Sequence, residues 1–102
     1  MAVVKINSAE FSEKVLGSSK KVLVDFYADW CGPCKMLAPF VQELSEERTD
    51  CGFFKVNVDE CMDLAQKYGI SSIPALIVFK DGEPVARSVG FQGKGEINML
   101  LG

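Results

Sequence analysis

The sequence predicts an α/β fold, a mixed sheet sandwiched between helices. Three observations carry that prediction. Strand-like and helix-like segments alternate through the first two-thirds of the chain, which implies parallel strands joined by right-handed crossovers. The run "KVLVDFYA", residues 21–28, is apolar almost throughout, as in a central strand covered on both faces. Near the end, Asp81-Gly82 separates two further strand-like runs and signals an antiparallel hairpin.

The elements follow in order. "VVKI" at 3–6 reads as a short strand, and Asn7 or Ser8 caps a helix over "AEFSEKVL" with Phe11 and Val15 one turn apart on its inner face. The central strand comes next. Leu37, Phe40, Val41 and Leu44 are then spaced i, i+3, i+4, i+7, the pattern of an amphipathic helix. Pro39 inside it removes one backbone donor and predicts a kink rather than a stop. "FFKVNV" at 53–58 is a third strand. A helix from about Cys61 to Tyr68 closes at Gly69. "ALIVFK" and "VARSV" form the hairpin, with a loop expected to be slightly longer than two residues. A last helix from about Lys94 to Leu101 carries Ile97, Leu100 and Leu101.

Bulk composition narrows the function classes. The 102 residues fit one domain, 1–102, and 48% are hydrophobic and 25% charged, a globular balance. A chain of this size folds without staples, so four cysteines are not needed to hold it together. The net charge is −3 with scattered lysines and arginines, which argues against nucleic-acid binding. No apolar run reaches the length of a membrane span, and the N-terminus lacks the apolar core of a signal peptide. The default is a soluble cytoplasmic protein that makes no membrane contact. In that reducing compartment a close cysteine pair is more often catalytic or metal-binding than a permanent crosslink.

The pair in question is "WCGPC", where the central strand ends and the amphipathic helix begins. Sites in such sheets form at the carboxyl ends of strands. Pro33 suits the first helical position, which places Cys31 at the helix N-terminus before free N–H groups and the positive end of the macrodipole. Both favour the thiolate, the nucleophilic form. Cys34, three residues on, faces the same side about 5–6 Å away, close enough for local adjustment to close a disulfide. Cys31 therefore reads as the nucleophile, and Cys34 as the thiol that resolves the mixed disulfide. A structural disulfide is the bland alternative. A zinc half-site is another, but it lacks a second ligand pair: there is no histidine, and Cys51 and Cys61 lie in separate elements. No metal and no cofactor is expected. Redox chemistry is the favoured reading.

Asp25 is an acid inside an apolar strand. An outward turn by strand alternation is the bland alternative, but a run covered on both faces has little outward space. Burial would raise the pKa of Asp25 and equip it to take the proton from Cys34. Lys55 interrupts the neighbouring strand in the same way and is its candidate partner, although a lysine there also reaches solvent by snorkelling. Trp30 reads as a partly exposed apolar rim. Cys51 and Cys61 lack the charged or helix-initial context that Cys31 shows, although Cys61 is placed to open a helix, and both read as small buried hydrophobes.

"VDFYADWCGPCK" resembles the active-site segment of the thioredoxin family, in which Cys-x-x-Cys accompanies a βαβ pattern. The likeness extends over essentially the whole chain through Asp25, Pro39, Lys55, "GISSIPALIVFKDG" and "VGFQGK". It implies a thioredoxin fold, a five-stranded mixed sheet of order 1-3-2-4-5 flanked by four helices, with a cis bond at Ile73-Pro74. It further implies a general protein disulfide reductase, donating electrons through a Cys31–Cys34 dithiol/disulfide. A substrate groove would be formed by Trp30, Gly32, Pro33, Ile73, Pro74 and Gly90, where the backbone of Ile73 pairs with an extended target peptide. The partners implied are disulfide-containing target proteins and an NADPH-dependent flavoprotein, thioredoxin reductase; a monomer is expected. The chain departs from the family pattern at Tyr27, where many members have tryptophan, at Ser71-Ser72, and in carrying Cys51 and Cys61. An oxidase or isomerase of the same fold is the rival within redox chemistry, and Gly32-Pro33 between the cysteines points away from it. A non-redox scaffold role is the rival from another class.

Overall fold

The structure is a computed structural model and describes residues 3–102; residues 1 and 2 of the predicted domain lie outside it. Five strands form one sheet in the order β1-β3-β2-β4-β5, as expected. They are β1 (Val4–Lys5), β2 (Lys21–Tyr27), β3 (Cys51–Asn57), β4 (Ala75–Lys80) and β5 (Glu83–Val89). β3 pairs in parallel with β1 and β2. β4 and β5 add antiparallel strands on the other side of β2. Among the described residues, no helix is long and apolar enough to cross a membrane.

α1 (Ser8–Phe11) is capped by Asn7, whose side chain accepts from the Glu10 amide while Glu10 accepts from the Asn7 amide. This reciprocal box satisfies two of the orphan donors of the first turn. The segment then widens into a π-helical stretch, Ser12–Leu16, which propensity and spacing do not distinguish from an ordinary helix. Phe11 and Val15 are both buried. α2 (Gly32–Glu47) runs through Pro39 without a stop. α3 (Met62–Lys67) is shorter than predicted, with Cys61 and Tyr68 as its caps rather than its ends. α4 (Lys94–Leu101) has the predicted bounds and buries Ile97 and Leu101.

Side chains alternate across β2. Val22, Val24 and Phe26 join the core with Phe11, Val15 and Leu64, under α1 and α3. Leu23 joins the opposite core with Leu37, Val41, Leu44, Ile97 and Leu101, under α2 and α4. Asp25 shares the parity of Leu23, so the strand itself aims the acid at α2. Full burial of such side chains stabilises by roughly 1.5–3 kcal/mol each, and both faces of β2 contribute.

The hairpin loop is tighter than expected. β4 ends at Lys80, β5 begins at Glu83, and these two pair. Asp81 (φ 53°) and Gly82 (φ 81°) both occupy the left-handed region, as a two-residue type I′ turn requires. Glu83 and Pro84, the two residues left to the loop, instead open β5, and a separate register shift at Val78/Phe79 skips Val85. Pro84 lies on the edge strand, where its missing donor is tolerated.

Candidate active site

Cys31 is the N-cap of α2, with extended backbone (φ −89°, ψ 108°). The helix begins at Gly32, so Pro33 occupies its second position, not its first; either lies in the first turn, where a missing N–H costs nothing. The Cys31 sulfur accepts a hydrogen bond from the Cys34 amide at 3.2 Å. The group capping this helix is therefore the sulfur itself, and negative charge there is favoured by a donor and by the helix dipole. Cys31 and Cys34 form a disulfide with Cα atoms 5.3 Å apart, and both residues are buried. They pack with Ala28 in a small apolar cluster against which Tyr27, Val58 and Ile73 lie.

Asp25 is 4% exposed, and its Oδ1 has no hydrogen-bond partner. Burial pushes its pKa up to about 7, with the Lys55 ammonium pulling the other way. Such a carboxyl changes charge near neutral pH, as a base for a thiol must. Lys55 stands directly across from Asp25 in the parallel register of β2 and β3. No ion pair joins the two among the described residues. Instead the Lys55 ammonium lies over the Tyr27 ring, 5.6 Å from its centroid. Its influence on Asp25 is thus a through-space charge rather than a contact. A cleft of about 360 Å³ is lined by Asp25, Lys55, Tyr27, Lys35, Ala38 and Cys34, among others. It runs from the acid to the second cysteine and has room for bridging water.

The six groove residues divide by exposure. Gly32 and Pro33 are exposed, Ile73 and Gly90 are partly so, and Pro74 is buried, so Pro74 shapes the rim rather than meeting a ligand. Trp30 is 70% exposed, and its indole N–H donates to Asp59 at 2.8 Å. The Ile73-Pro74 bond is cis, as the resemblance implied. Gly90 has φ +93°, a conformation that L side chains avoid, and its N–H donates to the Pro74 carbonyl at 2.8 Å. That bond ties the end of β5 to the segment beside the dithiol. Among the described residues, neither the amide nor the carbonyl of Ile73 engages another backbone group, which leaves both open to an added strand.

Residue-by-residue reading of the sequence missed Asp59 and Ala38. The only signal for Asp59 was "NVD", an Asx-turn pattern, and the Asn57 side chain indeed accepts from the Asp59 amide at 2.9 Å. Cys51 and Cys61 are free and buried. They belong to cores on opposite faces of the sheet. Cys51 opens β3 and Cys61 follows its far end, so the length of a seven-residue strand, roughly 20 Å, separates them. No disulfide links them within one chain. Burial holds the Cys51 thiol above its usual range, with the Asp50 charge adding to the effect.

A family model described as Thioredoxin matches residues 2–101. A protein named Thioredoxin from Mycobacterium tuberculosis (strain ATCC 25618 / H37Rv) is 50% identical over 97 residues, covering 94% of this chain and 84% of that one. A Staphylococcus aureus protein of the same name is 49% identical over 102 residues, covering 99% and 96%. A third, from Mycoplasmoides gallisepticum, is 44% identical over 95 residues, covering 93% and 94%.

Proposed function

This chain belongs to the thioredoxin family, and from that premise we propose that Cys31 attacks, Cys34 resolves and Asp25 takes the proton from Cys34. The reaction itself is protein disulfide reduction, and the chain is a thiol–disulfide oxidoreductase acting on disulfide substrates. In the first step the Cys31 thiolate attacks one sulfur of the target disulfide. A Cys31–target bond forms, the target S–S bond breaks, and the other target sulfur leaves as thiolate. In the second step the Asp25 carboxylate accepts the Cys34 proton through water. The Cys34 thiolate attacks the Cys31 sulfur, closing the intramolecular disulfide and releasing the second target thiolate. Two electrons pass to the target, and both of its thiolates take up protons.

The observation that carries this division of roles is the position of Cys31 as helix cap, with its sulfur held by the Cys34 amide. Cys34 has no comparable donor and faces the cleft that reaches Asp25. The groove formed by Trp30, Gly32, Pro33, Ile73, Pro74 and Gly90 receives the target as an added strand. An NADPH-dependent flavoprotein, thioredoxin reductase, restores the dithiol. The same reading has residues 1–102 working as a single monomeric domain in the cytoplasm, with Lys55 biasing Asp25 by charge alone.

Turnover of a protein disulfide by the reduced chain tests the assignment against the spare thiols. A Cys51→Ser, Cys61→Ser double variant is expected to keep turnover within about twofold of the parent, because neither thiol touches the dithiol and serine is nearly isosteric. Turnover reduced tenfold or more, with the fold intact by circular dichroism, would assign those thiols a part in the reaction.

A further inference from the structure

Asp25 borders two clefts rather than one. The cleft already described leads to Cys34. A second, of about 370 Å³, opens on the other side of the acid past Pro39 and Gln42. Both are lined by the same four residues, Asp25, Lys35, Ala38 and Lys55. None of Trp30, Gly32, Pro33, Ile73, Pro74 or Gly90 lines either one. Only the first includes Cys34, so a target joined to Cys31 lies against that cleft and leaves the second mouth uncovered.

The proton balance gives that mouth a purpose. Asp25 must be ionised before it can accept the Cys34 proton in the mixed disulfide, and while the target is docked the route past the sulfurs is blocked. Lys35 and Lys55 both line the way out, and the Lys55 charge favours the carboxylate over the acid. Ala38 sits one turn beyond Cys34 on α2, its small side chain at the junction of the two clefts. A larger side chain would fill the junction where Ala38 leaves room for water.

We propose that the cleft between Lys35 and Lys55 is the proton exit of Asp25, kept open by Ala38 while a target protein covers the dithiol. This rests on Asp25 acting as the base in the second step. Ala38 is then a positioning residue: it touches no reacting atom and acts by admitting water. The exit itself has no titratable lining group besides Asp25, Lys35 and Lys55 among the described residues; Tyr27, Asp29 and Cys34 line the sulfur-side cleft. Lys5 on β1 is held by Glu60 at 2.9 Å.

The test compares Ala38→Leu, Ala38→Ser and Asp25→Asn in single-turnover reduction of a protein disulfide, followed from pH 5 to 9. Leucine is a good helix former at this exposed site, so folding is preserved. Ala38→Leu is expected to slow the second step about fivefold or more, a part of the hundredfold or greater benefit a positioned base supplies. Its pH midpoint should move upward as Asp25 loses water. Alkylation of Cys31 should change by less than about twofold, reduction of a small-molecule disulfide should be slowed much less, and Ala38→Ser should match the parent. If Ala38→Leu matches the parent while Asp25→Asn is slow, the exit is wrong and the base stands. If both match the parent, the base assignment fails and the exit with it. Equal slowing of protein and small-molecule disulfides by Ala38→Leu also overturns the exit, since the small substrate leaves the front open.

Discussion

With serine at position 34, the chain is expected to stop after one attack and remain covalently joined to its target. The Cys31 thiolate still forms and still displaces one target sulfur, because its stabilisation comes from the Cys34 amide and the helix terminus. A Cys34→Ser side chain cannot complete the exchange, so the mixed disulfide accumulates. Multiple turnover should fall by at least about a thousandfold, the scale on which loss of an essential thiol is felt. Cys31→Ser should lose turnover as fully but capture nothing, since the remaining thiol lies within the helix rather than at its cap. Mass spectrometry of the adducts separates the two variants. Capture through Cys34 in the Cys31→Ser chain would reverse the roles assigned here.

Asp25→Asn should change stability and rate in opposite directions. The folded chain holds this carboxyl up at about 7, from an ordinary value of 3.8, mainly by burial. Below about pH 4 both folded and unfolded chains carry the protonated form, and the acid costs little. Between pH 4 and 7 the unfolded chain ionises while the folded one resists, so each unit of pH lowers stability. Above pH 7 the loss is complete and, at 1.36 kcal/mol per unit, amounts to at most about 4 kcal/mol. An asparagine does not ionise, so the gain of Asp25→Asn over the parent should be near its minimum at pH 4 and largest at pH 8. Urea unfolding of the oxidised protein at the two values reads this directly. The variant should meanwhile reduce targets roughly a hundredfold more slowly in the second step, the usual benefit of a positioned base. A stability gain that did not grow with pH would mean that Asp25 is not held protonated in the fold.

Much of the architecture was visible in local sequence because the forces that set it are local. The apolar run at 21–28 had to be a covered strand. Phe11 with Val15, and Leu37 with Val41 and Leu44, had to share helix faces. The dithiol was legible for a similar reason: Cys31 and Cys34 are three residues apart at a strand-to-helix turn, so one short segment places both. Asp25 was legible as an anomaly, a charge where a two-sided strand has no water.

What was not legible depended on contacts far apart in sequence. The strand order and the cis bond at Ile73-Pro74 came from family resemblance alone, because no local pattern states which strands meet or which X-Pro bond is cis. Trp30 and Asp59 meet across 29 residues. Lys55 stands opposite Asp25 in the register, yet its ammonium settles over Tyr27, since the pairing of backbones does not determine where a long side chain ends. The Asp81-Gly82 loop was expected two residues too long because Glu83 and Pro84 carry no strand signal of their own and join β5 by pairing with Lys80 and Phe79.

The most direct test of the account is a redox equilibrium titration against defined thiol–disulfide buffers, read through Trp30. It is the only tryptophan in the chain and precedes Cys31 immediately, so its fluorescence reports the pair. Thioredoxins as a class lie near about −270 mV and protein disulfide isomerase near about −180 mV, values of those proteins rather than consequences of this geometry. The account predicts a single two-electron transition well below about −200 mV, lost in Cys31→Ser and unchanged in the Cys51→Ser, Cys61→Ser variant. A midpoint near or above that of the isomerase, or no transition at all, would contradict it.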